Sequence, residues 1–234
     1  MSPPIWTRDA LSSNHRHYRG SCWRLVEAQH RVATLKLVDG LDEQSVLEDI
    51  LEETKPNVPP ECRHLHYLFA TPFRYGAPYP HGSRFRRAGL TPGVYYAAEH
   101  VEAAVAEIAF YRLLFFVDSP DTPYPDGTAD FSAIAAELAT ERALDLTMHP
   151  FSSHASDWTC KTDYSACQAL ADGAREAGTE VIRTQSVRDR AGRANVAVLT
   201  CLAFARPEPI DRQTWRLRIG DLGAQAVCEF PEQS

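Results

Sequence analysis

Prolines limit where long helices and strands can lie in this chain. Six of the sixteen prolines fall at positions 56, 59, 60, 72, 78 and 80. Proline lacks an amide hydrogen and fixes its own φ angle, so such a stretch interrupts helices and central strands. We therefore expect a punctuated connection over residues 55–80, with regular structure on either side of it.

Length and charge restrict the class of protein. The 234 residues are 44% hydrophobic and carry a formal net charge of −7. This length suffices for one large domain, with or without an extension. A general nucleic-acid binder needs a positive surface, so direct nucleic-acid binding is not expected. No run approaches the ~18 apolar residues of a membrane span, and no signal sequence is evident. We expect a soluble, cytoplasmic protein.

The six cysteines are scattered, with no C-x-x-C pair. This pattern favours reduced, partly buried thiols over a disulfide framework or a zinc ribbon. Cys62, His64 and His66 alternate, and on a strand they would share one face. They suggest a metal-binding regulatory module, but a fourth ligand is not evident and the pattern often arises by chance. No metal site is our main expectation.

The N-terminal part is expected to be only partly helical. Residues 1–20 are typical of an irregular arm. Asp42 is a plausible N-cap for a helix that ends near Glu53, with a stripe of apolar residues that should pack on the core. The stripe consists of Val46, Leu47, Ile50 and Leu51. Residues 66–70 are predicted to be extended, and the stretch 23–38 favours neither helix nor strand.

The remainder of the chain mixes helical and strand patterns. Asp163 and Gly178 are the expected N-terminal cap and C-terminal glycine of one helix. The patterns predict strands at 94–97, 180–183 and 195–204, helices at 101–114, 131–143 and 163–177, and a loop at 119–127. This mixture predicts an α+β fold.

One carboxylate, Glu107, lies on the helix face that should be buried. It follows Ala104 by three residues and precedes Tyr111 by four, and residues at these spacings share a helix face. A buried carboxylate is usually ion-paired, here with a nearby arginine. Alternatively, Glu107 lines a cleft, where a fixed negative charge stabilises a developing cation. The residues alone leave both interpretations open.

Arginines cluster before this helix. Guanidinium groups bind phosphate oxygens through paired hydrogen bonds, which makes Arg84, Arg86 and Arg87 candidates for an anion site. In an extended segment Arg84 and Arg86 would point to one side and Arg87 to the other. Arg74 is a further candidate. A solvated surface is the ordinary explanation for such a trio.

Two further positions carry chemistry. Tyr95 and Tyr96 alternate across a predicted strand, so that one packs in the core and the other faces a ligand. The spacing does not decide which. Ser186 lies in a polar turn, where its hydroxyl either stabilises the turn or binds a ligand. Because no histidine or glycine elbow adjoins it, Ser186 is not typical of a hydrolase nucleophile.

Three sequence blocks together resemble the RES domain, a family named for its arginine, glutamate and serine. The first is Arg84-Phe85, and the second runs from Tyr96-Ala97-Ala98 to Glu107. The third is residues 183–188, followed by Gly192 and the apolar run 195–199. The blocks occur in the family's order with similar spacing, between about residues 74 and 204.

This resemblance implies a compact α+β fold, a mixed sheet with flanking helices that is related to ADP-ribosyltransferases. The catalytic domain would span residues 71–234, and residues 1–70 would form an N-terminal extension. The family is known for toxins of bacterial type II toxin–antitoxin pairs. The implied partner is an Xre-type helix-turn-helix antitoxin, in a homodimer or a hetero-oligomer with the antitoxin.

The resemblance also implies an enzyme that degrades NAD at the nicotinamide–ribose bond, by hydrolysis or phosphorolysis. NAD is then the substrate, with inorganic phosphate as a possible co-substrate and no cofactor. An ADP-ribosyltransferase that modifies a macromolecule would use similar residues and stays an alternative. The cleavage puts positive charge on the ribose, while nicotinamide leaves without needing a proton, so one carboxylate and phosphate-binding arginines suffice.

Residue by residue, the resemblance makes Glu107, Arg84 and Tyr96 the catalytic group. Glu107 would be the central acid, and Tyr96 would pack near the nicotinamide ribose. The implied substrate-binding residues are Arg74, Arg86, Tyr95 and Ser186. Arg84 and Arg74 would hold phosphate groups, and the Ser186 hydroxyl would bond the nucleotide. Arg86 is an alternative to Arg84, and Tyr95 to Tyr96, because the intervening alignment tolerates a gap.

Overall fold

The computed structural model describes residues 6–27, 40–75, 82–89 and 91–229. Most of the stretch 23–38 and the end of the proline-rich connection lie outside the described residues. The helices are α1 (Arg8–Ser13), α2 (Leu41–Thr54), α3 (Tyr67–Arg74), α4 (Val101–Asp118), α5 (Ala155–Trp158) and α6 (Ser165–Glu176). The strands are β1 (Arg16–Glu27), β2 (Tyr95–Ala98), β3 (Ala129–Asp145), β4 (Val181–Gln185), β5 (Ala194–Val198), β6 (Asp211–Gly220) and β7 (Gly223–Glu229).

A mixed sheet with flanking helices forms the centre of the molecule, which confirms the predicted α+β class. Its strand order is β1-β2-β5-β4-β3-β6-β7. The β3–β4 pair is parallel, and the other described pairs are antiparallel. β1 also pairs with β3, from Glu27 opposite Phe131 to Arg16 opposite Ala143. Because β1 pairs with both β2 and β3, five strands close into a ring.

The helix predicted at 131–143 is wrong, because these residues belong to β3. Alanine, leucine and glutamate favour helices, and they dominate this stretch. In the fold, β3 has neighbours on both edges, β1 on one and β6 and β4 on the other. Its middle is buried almost continuously, so it lacks the polar–apolar alternation of a half-exposed strand.

The irregular arm predicted for residues 1–20 is also wrong. This segment forms α1 and the beginning of β1. Thr7 caps α1 by accepting a hydrogen bond from the Ala10 amide at 3.3 Å. Leu11 is fully buried among residues of α6. The N-terminal part is therefore built into the sheet and its covering layer.

The helix predicted near residues 42–53 is present as α2, although it starts at Leu41 rather than after an Asp42 cap. Its apolar stripe does not pack on the core as expected. Val46 is 57% exposed, and Ile50 and Leu51 are also exposed. The periodicity predicted the helix correctly but not its contacts.

The extended run predicted for residues 66–70 is a helix. The His66 imidazole caps α3 through Nδ1, which accepts a hydrogen bond from the Leu68 amide at 3.2 Å. Phe69 and Phe73 lie four residues apart on one helix face and are buried. Two aromatic rings at helical spacing outweigh the strand propensity of this short run.

Several other predictions are confirmed. β2, β4 and α4 lie where expected, α4 being one turn longer, and residues 119–127 form a loop. The N-cap of α6 is Tyr164 rather than Asp163, although Asp163 accepts a hydrogen bond from the Ser165 amide at 2.8 Å. Gly178 follows the end of the helix with a φ of +75°, as expected. The last predicted strand is shorter, since β5 ends at Val198. No described helix is long and apolar enough to cross a bilayer.

The cysteines differ from expectation at one pair. Cys62 and Cys201 form a disulfide with their Cα atoms 5.5 Å apart. The pair joins the turn before α3 to the turn after β5, a separation of 139 residues. Such a distant pairing leaves no local spacing pattern. The other four cysteines are free thiols.

The segment just before β2 packs closely against α3, and this contact can be tested. A Cβ at Gly93 would overlap the carbonyl oxygen of Pro72 and lie 3.2 Å from the Cα of Phe73. We expect Gly93→Ala to lower the free energy of unfolding by about 1–3 kcal/mol, as overpacking does elsewhere. Urea denaturation measures this change. Gly127→Ala is the control, because no atom lies within 4 Å of its Cβ position. An equal effect at both glycines would contradict the packing described.

Candidate active site

A cavity of about 570 Å³ opens where α4 meets the closed ring of strands. One face of α4 forms one wall, and this face consists of Ala104, Glu107, Ile108, Tyr111 and Leu114. The other walls come from β1, β2, β4, β5, the turn at 82–85, the loop after β4 and Tyr164, which precedes α6. Segments distant in the sequence thus meet around one space of ligand size.

Glu107 lies on the wall formed by α4, and one of its two carboxylate oxygens accepts two hydrogen bonds. Its Oε1 accepts from the Ser186 hydroxyl at 2.7 Å and from the Asn195 amide Nδ2 at 2.6 Å. Within the described part of the chain, no arginine forms an ion pair with it and Oε2 has no hydrogen-bond partner. The ion-pair interpretation is therefore wrong, and a negative charge fixed through one oxygen faces the cavity.

Ser186 supports Glu107 rather than facing the cavity. Its side chain is buried, with 3% of the residue exposed. The hydroxyl donates to Glu107 and accepts from the amides of Arg188 and Asp189, at 3.3 and 3.1 Å. These contacts use the one proton and both lone pairs of the hydroxyl. In this arrangement Ser186 positions the carboxylate and has no hydrogen bond left for a nucleotide.

The turn at residues 83–86 aims its arginines in different directions. Ser83 and Arg86 pair as a short antiparallel bridge, so the segment is a tight turn and not the extended run considered above. Arg84 lines the cavity, donates to the Trp158 carbonyl at 2.7 Å and lies over the Tyr164 ring at 4.6 Å. Arg86 is buried and donates through Nε to a backbone carbonyl of the following loop at 3.2 Å.

The other two arginine candidates do not line the cavity. Arg87 forms an ion pair with Asp172 of α6 at 2.6 Å. Arg74 is the last residue of α3 and is absent from the cavity walls. Of the four arginines singled out in the sequence, Arg84 is the one that reaches the site.

The structure separates the two tyrosines by the alternation of β2. Tyr95 is fully buried in the aromatic cluster with Phe69 and Phe204. Its hydroxyl has no hydrogen-bond partner in the described ranges of the chain. Tyr96 lines the cavity. Its hydroxyl accepts from the Phe85 amide at 3.0 Å and shares a hydrogen bond with the Ser83 hydroxyl at 2.8 Å. Burial raises the pKa of Tyr96, which keeps this hydroxyl neutral.

Two arginines that line the cavity were not predicted from the sequence. Arg24 of β1 donates to the Tyr96 carbonyl at 3.2 Å, and none of the described residues hydrogen-bonds to its Nε. Arg188, in the loop after β4, lies 3.5 Å over the Phe110 ring. Within the described residues, neither these two nor Arg84 has a carboxylate partner. Arg24 carried no signal because its segment favoured neither helix nor strand, whereas Arg188 stood inside the third RES block without an assigned role.

The metal-binding interpretation loses its geometric basis. Cys62 is in a disulfide, and the chain from Pro60 to His66 is a turn rather than a strand. The His66 imidazole caps α3 and contacts Arg212. In the described part of the chain, no group of three or more potential ligands is placed to hold an ion.

Comparison with known proteins identifies the family. The model of the RES domain matches residues 58–220, more than half of the chain. This chain therefore belongs to the RES domain family, and the resemblance seen in the three sequence blocks is confirmed. No curated protein sequence matches it significantly.

A solved structure shares the fold. It is a chain of the crystal structure of the M. tuberculosis MbcT–MbcA toxin–antitoxin complex, with a TM-score of 0.51 and 16% identity. The match covers 88% of this chain and 87% of that one, so it includes part of the segment before residue 58. This agrees with the position of β1 in the central sheet.

The neighbouring tyrosines allow a matched test of the turn that carries Arg84. Tyr96→Phe removes the acceptor of the buried Phe85 amide, and we expect it to lower the free energy of unfolding by about 1–3 kcal/mol. Tyr95→Phe makes the same chemical change where the hydroxyl has no partner, so its effect should stay below about 0.5 kcal/mol. Chemical denaturation of both variants measures the difference. A greater loss from Tyr95→Phe would contradict the hydrogen bonds assigned here.

Proposed function

We propose that this protein is the toxin of a toxin–antitoxin pair and that it degrades NAD by cleaving the nicotinamide–ribose bond. The observation that carries the proposal is the charge arrangement in the cavity. Within residues 6–27, 40–75, 82–89 and 91–229, Glu107 presents a carboxylate without an arginine partner. Arg24, Arg84 and Arg188 present cations without carboxylate partners in the same ranges. Membership of the RES family and the fold shared with a chain of a toxin–antitoxin complex support the toxin role.

The charges of NAD match this arrangement. Its pyrophosphate carries two negative charges, which arginines bind well because the guanidinium fork fits two oxygens. Its nicotinamide ring carries a positive charge, which favours the side of the cavity that holds Glu107. The protein is acidic as a whole, with a net charge of −7, so the arginines form a local anion site rather than a basic surface.

The cavity residues then have different roles in cleavage of the nicotinamide–ribose bond. The bond between the ribose C1′ and the ring nitrogen breaks, and its electron pair neutralises the nicotinamide ring. Positive charge develops on the ribose, as in other glycosyl transfers. Glu107 stabilises this charge through its free oxygen, while Ser186 and Asn195 hold the other oxygen in place. Arg84 and Arg24 keep the dinucleotide oriented.

Either of two acceptors can take the ADP-ribosyl group, namely water or inorganic phosphate. Attack by water forms a C1′–O bond, releases a proton and gives ADP-ribose. Attack by inorganic phosphate forms a bond between C1′ and a phosphate oxygen and gives ADP-ribose phosphate. A third arginine in the cavity, Arg188, offers a place for the phosphate dianion. We therefore propose inorganic phosphate as a co-substrate alongside water.

The central test removes the charge of Glu107. Glu107→Gln keeps the size of the side chain and an oxygen that accepts from Ser186 and Asn195. We expect NAD consumption to fall by about 100- to 1,000-fold, the usual effect of losing one preorganised electrostatic contact. The thermal unfolding midpoint should stay near that of the unsubstituted protein. NAD loss is measured by an enzymatic cycling assay.

Glu102→Gln is the matched control, because Glu102 lies on the same helix, is exposed and pairs with Arg193 at the surface. Exposed ion pairs contribute little, so this variant should keep its activity. NAD turnover in Glu107→Gln that equals turnover in Glu102→Gln would disprove the role of Glu107.

The reaction products show whether water, phosphate or a protein accepts the ADP-ribosyl group. We expect ADP-ribose in phosphate-free buffer and a growing share of ADP-ribose phosphate as phosphate is added, both separated by anion-exchange chromatography. Radiolabel from NAD that ends on protein instead would favour an ADP-ribosyltransferase. Unchanged products at all phosphate concentrations would remove phosphate as a co-substrate.

We propose a helix-turn-helix antitoxin of the Xre type as partner, in a hetero-oligomer with this chain, and the cytoplasm, where NAD is available, as the site of action. Co-expression with the product of the adjacent reading frame should give a complex in which NAD consumption is suppressed. A product that neither binds nor inhibits would count against this pairing.

A further inference from the structure

Among the residues that the structure describes, two buried polar atoms of cavity-lining side chains have no hydrogen-bond partner. They are Oγ1 of Thr184 and Oδ1 of Asn195. Both residues line the cavity, and Thr184 is only 3% exposed. Buried polar atoms are nearly always satisfied, and leaving one without a partner is costly. Two such atoms in one cavity indicate that a ligand supplies the missing hydrogen bonds.

The two atoms belong to neighbouring side chains. Thr184 of β4 and Asn195 of β5 are directly opposite each other in the antiparallel pairing. Side chains at such positions lie on the same face of the sheet, with Cβ atoms about 4.5–5.5 Å apart. Neither oxygen is accessible to solvent in the structure, so one small functional group reaches both of them at once when the two side chains shift toward the cavity.

Glu107 fixes which end of the Asn195 amide points to the ligand. The group of Asn195 that lies 2.6 Å from Glu107 Oε1 is Nδ2. A carboxylate only accepts hydrogen bonds, so it must face the amide NH₂ rather than the amide oxygen. Oδ1 is thereby held as an acceptor away from Glu107, and Thr184 adds a hydroxyl that can donate.

An acceptor beside a donor is complementary to a primary carboxamide, which carries N–H donors and a carbonyl acceptor side by side. A carboxylate would fit badly, because it offers no donor to Asn195 Oδ1 and would add a negative charge near Glu107. An unsubstituted aromatic ring would leave both atoms unsatisfied. The pair thus distinguishes nicotinamide from nicotinic acid.

We propose that Thr184 and Asn195 form a carboxamide subsite that binds the nicotinamide group of the substrate. This inference rests on the proposed NAD-degrading function and names a specificity element of the same cavity. The side-chain amide of Asn195 then makes two contacts. Its Nδ2 donates to Glu107, and its Oδ1 accepts from the carboxamide of the leaving group. Recognition of the carboxamide and orientation of the carboxylate are coupled through a single side chain.

Two dinucleotides test the subsite by turnover. NAD and nicotinic acid adenine dinucleotide differ in the carboxamide, which is a carboxylate in the second. We expect the protein to prefer NAD in kcat/KM. Thr184→Val, which has the same shape without the hydroxyl, should reduce that preference about tenfold, the usual effect of one lost hydrogen bond. Thr184→Ser keeps the hydroxyl and should retain the preference. Equal loss of activity on both dinucleotides in Thr184→Val would overturn the proposal.

Binding of the free bases separates this proposal from the proposed function. Ligand-observed NMR measures nicotinamide and nicotinic acid on the unsubstituted protein, which requires neither turnover nor a folded variant. A protein that consumes neither dinucleotide but binds nicotinamide in preference to nicotinic acid would refute the NAD-degrading function and keep the subsite. Equal binding of the two bases, or a crystal structure with nicotinamide in which only water contacts Thr184 and Asn195, would refute the subsite.

Discussion

The site depends on the two hydrogen bonds that Ser186 and Asn195 donate to one oxygen of Glu107. These bonds join helix α4 to β5 and to the loop that follows β4, and they fix a charge on the wall of the cavity. An isolated carboxylate would be costly on this largely apolar face of α4, because burial removes its hydration. Two donors offset that cost without neutralising the charge as an arginine would. Glu107 is therefore both stable in the fold and available to a cationic ligand.

The cations of the site are held in a comparable way. Arg84 and Arg24 donate to backbone carbonyls, and Arg84 and Arg188 lie over aromatic rings. Carbonyl dipoles and ring faces orient a guanidinium while its charge stays uncompensated. Fixed charges of both signs thus coexist in one cavity without pairing with each other. This separation of charges is the feature on which the proposed binding of a dinucleotide rests.

Sequence patterns predicted elements best where one local signal was sufficient. Asp163 and Gly178 predicted the two ends of α6 to within about two residues, and alternation in β2 predicted that the two tyrosines would face opposite sides. The ordered RES blocks led to the family. Predictions were wrong where distant partners decided the outcome. β3 has helix-favouring residues but is paired on both edges, and α2 has a helical stripe whose apolar residues are exposed.

The order of short sequence blocks was sufficient to predict the family and the α+β class, and residues within those blocks made Glu107, Arg84 and Tyr96 candidates for the site. The side chains that surround Glu107 could not be identified from the sequence. Arg24 lies about eighty residues before it and Asn195 about as far after it, and no spacing rule links positions that meet through strand pairing. The same pairing turned Ser186 from a proposed ligand contact into the support of the carboxylate.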